Sequence, residues 1–412
     1  MDGMTTEFGQ PVVHGGISSE EICRRGLELG LVAVGVAPAE VAEPARTVLT
    51  MRKEAGLAGD MQFTYRNPQR STDPLHRMPS ARSIVVAALA YETAGAEQTA
   101  QPERPARPET AGRIARYSWQ DHYALLAGIL ADLARPILDA GHRCQILIDS
   151  NHLVDRHVAW RAGIGWYGKN ANLLIPGLGS WFVLGSILTE APLEPTGRPL
   201  DDGCGPCQRC IDDCPTAAIV APGIVDARRC IAWLVQAGGE IPSEFRVAVG
   251  DRLYGCDECQ EVCPPNRAHP PTAAPTEPKV DLGWVLTAPD DEILERLGRW
   301  YIADRNVDVI RRTALVVLGN TAVPTWSRRF VADLLNRYLT AGNAVLRNHA
   351  VWAARRLGLD GAAVELPLCC GRTASGPHGG LGGDDPCEDP GLHRELTQPV
   401  ERRIEPEAWG VS

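Results

Sequence analysis

The residues in this sequence whose spacing promises chemistry are cysteines. Thirteen occur among 412 residues, and eight of them, at 204, 207, 210, 214, 230, 256, 259 and 263, fall within a 60-residue stretch. Cys204, Cys207, Cys210 and Cys214 are spaced C-x2-C-x2-C-x3-C with Pro215 after them. In that bacterial ferredoxin run, three thiolates hold corners of one [4Fe–4S] cube and the fourth reaches a second cube. Cys230, with Cys256, Cys259 and Cys263 before Pro264, supplies the complement. Crossing the runs assigns Cys204, Cys207, Cys210 and Cys263 to one cluster, and Cys214, Cys230, Cys256 and Cys259 to the other. The competing chemistry is a pair of zinc sites, because C-x2-C is equally a tetrahedral zinc corner. Zinc ribbons, however, separate two such knuckles by about 12–20 residues, and the x2, x2, x3-C-P run is the more specific ferredoxin signal. The C-x3-C-x2-C run of radical S-adenosylmethionine enzymes is absent. Cys369, Cys370 and Cys387 sit in a Gly- and Pro-rich tail where no chemical role is expected.

A carboxylate is the second chemical candidate. Asp149 ends the ILID segment, and a carboxylate at the C-terminal end of a strand points into a cleft, where burial raises its pKa into a range useful for proton transfer. The alternative is an N-cap for the following helix.

Positioning these groups requires a folded scaffold, and composition allows one. With 44% hydrophobic and 22% charged residues, the chain sits within the ordinary globular range. The length corresponds to two to four domains at about 100–200 residues each. The longest apolar stretches, 83–91 and 181–188, are roughly half of the ~20 residues that a membrane-spanning helix needs. The acidic N-terminus MDGMTTEFGQ lacks the basic and apolar regions of a secretory signal and any twin arginine. A cytoplasmic location is therefore expected, and there thiols stay reduced and bind metals rather than forming disulfides.

The pattern to residue 195 is mixed α/β. A helix opens at Ser19-Glu20-Glu21 and ends at Gly30, before the strand-like LVAVGVA run. The nearly continuous apolar run 83–91 reads as a central strand covered on both faces. Residues 93–112 read as a surface loop, 119–140 as a long amphipathic helix, and 144–149 and 180–189 as strands. From 201 the composition turns to Cys, Gly, Pro and Asp, the mark of a metal-organised module ending near 271. A Pro-rich linker (270–278) leads to helical segments, where 309–318 and 346–357 resemble each other as paired helices of the HEAT kind. The expected segments are thus 1–195, 196–271, 279–360 and a disordered tail, 361–412.

Net charge is −10, from 41 basic and 51 acidic residues, which argues against nonspecific nucleic-acid binding by the whole surface. Residues 296–358 nevertheless hold eleven arginines against three aspartates. Arg311-Arg312, Arg328-Arg329, Arg347 and Arg355-Arg356 punctuate apolar helical patterns, so a positive outward face able to take RNA phosphates is expected.

Several stretches resemble the epoxyqueuosine reductase family: RIARYSWQDHY (113–123), ILIDSNHLVDRHVAWRAGIGWYGKNANLLIPGLGSWFVLG (146–185), CGPCQRCIDDCPTAAI (204–219), RRCIAWLVQ (228–236) and RLYGCDECQEVCPPN (252–266). The similarity spans about residues 20–358. It implies an α+β multidomain protein: a cobalamin-binding domain of modified nitroreductase-like fold, a ferredoxin-like domain with two [4Fe–4S] clusters, and C-terminal HEAT-like helices. It further implies reduction of epoxyqueuosine to queuosine in tRNA by a monomeric enzyme fed by an external electron donor. Asp149 matches the family's proton donor. Arg70, at a one-residue offset, and Lys169, in a Gly-flanked turn, match its cobalamin pocket, and the residues around the second cluster, Cys230, Ala232, Leu234, Gly255 and Asp257, would face the corrin. No D-x-H-x-x-G motif is present, so the resemblance implies base-off cobalamin without a histidine ligand. Asn151-His152, the 93–112 loop and the acidic tail are departures from the pattern. Two other readings compete. A reductive dehalogenase would use the same cofactors, but it is typically exported and has no need of a basic helical C-terminus. A non-catalytic electron carrier would leave the first 195 residues unexplained.

Overall fold

The structure is a computed structural model and describes residues 17–91, 110–268, 279–323, 327–359 and 390–400. The acidic N-terminal decapeptide, most of the 93–112 loop, the 270–278 linker and the three tail cysteines lie outside the described residues.

The chain divides into two compact units: residues 1–99, 116–230 and 257–274, and residues 100–115, 231–256 and 275–412. The first is built on a four-stranded antiparallel sheet of β1 (Ala33–Pro38), β2 (Ser83–Ala90), β3 (Cys144–Ile148) and β4 (Phe182–Thr189). Their spatial order is β1-β2-β4-β3, which places the continuous apolar run of β2 inside the sheet. In register, Val36 pairs Val85, Val85 pairs Ile187, and Ile187 pairs Ile146. Because strand side chains alternate, this row faces one way. It packs beneath Ile22 of α1 (Ser19–Glu28) and Leu126, Leu130, Leu133 and Ile137 of α2 (His122–Asp139). The i, i+4, i+7, i+11 spacing of the α2 residues is the stripe that makes the helix amphipathic. The opposite face, carrying Ile84, Val86 and Leu147, is covered by Val158, Ala159 and Ala162 around α3 (Asp155–Arg161). Both faces are thus sealed, and what the sheet leaves open is the C-terminal end of β3, where Asp149 stands.

The cysteine-rich segment expected at 196–271 is shared between the units: residues 204–230 and 257–268 fold with the α/β unit, and 231–256 with the other. The physical reason is a hydrogen-bonded seam. Asn170 Nδ2 donates to the Cys259 carbonyl at 3.1 Å. Ser180 N donates to Asn266 Oδ1 at 2.6 Å, and Asn266 Nδ2 returns a bond to Ser180 Oγ at 2.9 Å. Gly179 makes this approach possible: its φ is 77°, and a Cβ there would lie 1.9 Å from Asn266 Oδ1.

The second unit joins a three-stranded sheet to helices. Ala111–Ile114 is its middle strand, parallel to Arg252–Tyr254 and antiparallel to Lys279–Asp281, so the end of the expected surface loop is in fact strand. Tyr254 stacks on Trp300 with centroids 4.4 Å apart. Helix α4 (Asp308–Asn320) and α5 (Arg328–Leu339) both pack on α6 (Ala344–Arg356).

Two expectations about this unit are overturned. The tail is not wholly disordered, because α7 (Pro390–Thr397) packs on α6. Its Leu392 is buried, and Glu395 meets Arg246 with Nη1 and Oε1 2.8 Å apart, in charge contact though off the angle of a hydrogen bond. The arginines do not form an outward face either. Arg312 is 1% exposed, donating from Nη1 to the carbonyls of Ala237 and Gly239 (both 2.7 Å) and from Nη2 to Leu234 (2.8 Å). Arg356 is buried against Asn320, and Arg311 is paired with Asp290 and Asp308. Arg328 donates to the carbonyls of Leu357 and Gly358, Arg347 to Ala341, and Arg355 to Glu395 and Gln398. A guanidinium carries five donors in a planar fork, and here the fork closes helix ends and loops.

Candidate redox and acid–base site

Cys204, Cys207, Cys210 and Cys263 are brought together within the first unit. Burial, then the charges of Cys204, Cys210 and Cys207, push the Cys263 thiol up to about 11, and burial with Cys204 and Cys207 raises Cys210. Thiols that would repel one another once ionised form a donor set that a cationic centre holds together, since a coordinated thiol loses its proton to the metal. Among the described residues no three His, Cys, Asp or Glu side chains converge as they would around a single ion.

Local structure shapes each thiol. Cys204 N is held by Asp202 Oδ1 at 2.9 Å, and Gly205 turns the loop with φ 51°. Cys214 Sγ accepts Ala218 N at 3.2 Å, and Cys259 Sγ lies 3.9 Å from Asn172 Nδ2. Such donors stabilise negative charge on cluster sulfurs. Cys214, Cys230 and Cys259 belong to the first unit, whereas Cys256 is the last residue of a second-unit segment.

Asp149 follows β3 with φ 45°, the left-handed region, and is not the helix cap, because α3 starts after Val154. Aspartate tolerates this conformation better than most residues, yet such strain concentrates at functional sites. The residue is exposed at the surface, yet enough protein surrounds its carboxyl that burial raises its pKa. Tyr123 of α2 feels the Asp149 charge, and burial pushes its phenol well above the usual range.

The expected cobalamin contacts fall in different places. Arg70 donates to His152 Nε2 at 2.8 Å, three residues past Asp149, and its buried Nε has no hydrogen-bond partner. A buried donor left open fits a polar cofactor group. Lys169 places Nζ on the Gly205 carbonyl at 2.6 Å, inside the cluster loop. Asp257 is buried and accepts from Arg116 N at 2.7 Å. Both side chains are committed to the protein. Ala232, Leu234 and Gly255 belong to the second unit, Leu234 with its carbonyl on Arg312 and Gly255 buried with φ 69°. Sequence reading missed Asn170 and Asn172, although both lie in GKNAN beside Lys169. Their signal was a pair of amides in a glycine-flanked loop.

A thiol quartet and a raised-pKa carboxyl within one unit define the class, an iron–sulfur oxidoreductase, and the comparisons with known proteins narrow it. Residues 203–266 match a 4Fe–4S double cluster binding domain, and residues 72–150 match the family described as Epoxyqueuosine reductase QueG, DUF1730. The chain is 33% identical to the epoxyqueuosine reductase of Bacillus subtilis, covering 84% of this chain and 89% of that protein. It is 32% identical to that of Bacillus cereus, covering 82% and 88%. A crystal structure of epoxyqueuosine reductase with an epoxyqueuosine-modified tRNA-Tyr stem loop superposes with a TM-score of 0.70 at 31% identity, covering 81% of this chain and 88% of that one. The chain belongs to the epoxyqueuosine reductase family, and it is an oxidoreductase. Among the described residues, no helix is long and apolar enough to cross a membrane.

Proposed function

We propose that this chain reduces epoxyqueuosine to queuosine in the anticodon loop of tRNA, using two [4Fe–4S] clusters and cobalamin. The observation that carries the reading is the placement, within one unit, of the thiol quartet Cys204, Cys207, Cys210 and Cys263 with the raised-pKa carboxyl of Asp149. Cys214, Cys230, Cys256 and Cys259 ligate the second cluster, as the double-cluster match supports. The clusters would supply single electrons from an external donor, and cobalamin, when bound, would supply a strongly reducing centre for the epoxide.

This chain's own residues do the rest. Asp149, kept protonated further towards neutrality by its partial burial, protonates the departing epoxide oxygen. Arg70 offers its open Nε to the cofactor, steadied through His152. Lys169 braces the Cys204 loop, and any cofactor contacts from Cys230, Ala232, Leu234, Gly255 and Asp257 run through backbone atoms. The modified base is read in a single-stranded loop, where its edges are accessible, and the nitroreductase-like and HEAT-like descriptions of the two parts follow from the same reading.

The test is anaerobic reconstitution with iron, sulfide and cobalamin, then mass analysis of nucleosides from tRNA bearing epoxyqueuosine. Conversion to queuosine is expected. Asp149→Asn keeps size and hydrogen bonding but has no proton to give, so turnover should fall by about 10²-fold or more with cobalamin still bound. Near-normal turnover in that variant under chemistry-limited conditions would move the donor role elsewhere.

A further inference from the structure

Residues 168–172 close a short hairpin in which Trp166 pairs Leu174 and Tyr167 pairs Leu173. The loop meets its own backbone groups: Gly168 N donates to the Asn172 carbonyl at 2.8 Å, Ala171 N to the Gly168 carbonyl at 2.9 Å, and Asn172 N to Asn170 Oδ1 at 3.1 Å. Ala171 holds φ 62°, a left-handed conformation that its Cβ disfavours. Strain of this kind persists only where the surroundings fix it. In this loop two amides converge on one cysteine. Asn170 Nδ2 donates to the Cys259 carbonyl at 3.1 Å, and Asn172 Nδ2 donates to the Cys259 sulfur at 3.9 Å. All three residues belong to the first unit. Asn170 is buried, and its amide holds both the loop and the cysteine backbone. Asn172 differs, because among the described residues its side chain has no hydrogen-bond partner except the sulfur. Nothing in the hairpin's own bonding calls for an amide at that position. A neutral thiol accepts weakly and an ionised one strongly, so the contact gains its strength when Cys259 is a metal ligand. The same loop touches the other ligand run only through a backbone atom, where Lys169 Nζ donates to the Gly205 carbonyl at 2.6 Å.

We propose that Asn172 is a positioning residue for electron transfer, whose Nδ2–H on the Cys259 sulfur raises the potential of the cluster that Cys259 ligates and leaves that of the other unchanged. The proposal rests on the two-cluster reading above. Reduction adds one electron from the external carrier and breaks no bond, and the added charge spreads onto the cluster sulfurs. A donor aimed at a sulfur stabilises the reduced state more than the oxidised one. An electron that reaches this cluster is therefore held there more firmly than the ligand set alone would hold it.

The test uses the full-length protein reconstituted anaerobically with iron and sulfide, titrated with titanium(III) citrate as a one-electron reductant and followed by electron paramagnetic resonance. It needs neither cobalamin nor tRNA. Asn172→Leu keeps the approximate shape of the side chain without its N–H, and Asn172→Asp puts a carboxylate oxygen in place of that donor. Two midpoints are expected in the parent. In Asn172→Leu one of them should fall, so that the reduced-to-oxidised ratio of that cluster at the parent's midpoint drops by roughly three- to tenfold. In Asn172→Asp the same midpoint should fall further, because a negative charge then faces the sulfur. The other midpoint should stay where it is. Two unchanged midpoints in Asn172→Leu, or two that fall together, overturn the proposal. Should neither variant hold both clusters, pulsed resonance on the reduced parent decides, with nitrogen-15 placed only at the side-chain amide of its asparagines. A nitrogen-15 coupling on one of the two clusters is expected, and its absence from both overturns the proposal. A parent that binds no iron would sink the cluster reading and this proposal with it. A parent that binds both clusters yet leaves epoxyqueuosine unreduced would sink the functional reading and leave the shift in potential standing.

Discussion

The cysteine-rich loops and the arginine-rich helices carry equally conspicuous residues, and the structure uses them in opposite ways. The cysteines of the first quartet are gathered closely enough that their charges raise the pKa of Cys210 and Cys263, an arrangement with no value to an apoprotein. Of the arginines named from 296–358, all but the exposed Arg329 are spent on the protein, on backbone carbonyls, a nearby carboxylate or the Asn320 amide oxygen. Spacing told the two cases apart and composition did not. A C-x2-C-x2-C-x3-C-P run leaves few geometries open, since ligands of one cluster must lie within a cluster's width. An excess of arginine over aspartate says nothing about carbonyls, and carbonyls were the main acceptors.

The comparison breaks most visibly at the ligands. Crossed wiring makes Cys214→Ser, in the first run, a lesion of the second cluster, and Cys263→Ser, in the second run, a lesion of the first. Iron should fall from about eight to about four per chain in either variant, and turnover should be lost because the electron path is cut. Electron paramagnetic resonance distinguishes which cluster remains. Iron near four in the parent protein, or stoichiometric zinc after anaerobic purification, would remove the two-cluster reading altogether.

The next largest effect is expected among the arginines. Arg312→Ala leaves the carbonyls of Ala237 and Leu234 without this donor in a buried setting, and that of Gly239 without it at the surface, while opening a gap where the buried guanidinium stood. At about 1–3 kcal/mol for each unsatisfied group, the loss is roughly 3 kcal/mol or more, a large part of a typical domain's stability. Arg329→Ala, at the exposed second position of α5, should change stability by less than about 0.5 kcal/mol. Denaturant melts of the two variants check the contrast. Equal, small changes would mean that Arg312 is not the brace its hydrogen bonds describe.

Much of the scaffold was legible. The 83–91 run gave a central strand because both sheet faces are buried, and the leucines of 119–140 gave α2 because only one face of that helix is. Asp149 was legible from its place at a strand end. Three things were not. The partners of Arg312 lie 73 to 78 residues away in sequence, beyond any local pattern. Helix α7 is eight residues long and follows a Gly- and Pro-rich stretch, so its anchors Leu392 and Glu395 do not stand out. The sharing of the cysteine-rich segment between the units was the third, because Asn170, Ser180 and Asn266 stitch the cysteine loops to the α/β unit through hydrogen bonds that leave no compositional trace.

The smallest expected effect concerns what remains of the positive face. Arg299, Arg305, Arg329 and Arg337 stay exposed among the eleven arginines. Arg329 and Arg337 share α5 and are eight residues apart, so they lie on neighbouring parts of its surface. Asp333, also exposed, stands four residues from each and competes with phosphate for both. A phosphate contact releases counterions, so each lost arginine lowers the salt-dependence slope of RNA binding by up to about one. Replacing both Arg329 and Arg337 with Ala should therefore weaken binding of an anticodon stem loop and flatten the slope by up to about two, less whatever Asp333 already neutralises. Iron content and the melt should not change, since neither side chain braces the fold. Titrations at several salt concentrations read the outcome. A slope identical to the parent's would mean that α5 does not touch the RNA, and that the arginine excess of this unit serves its architecture.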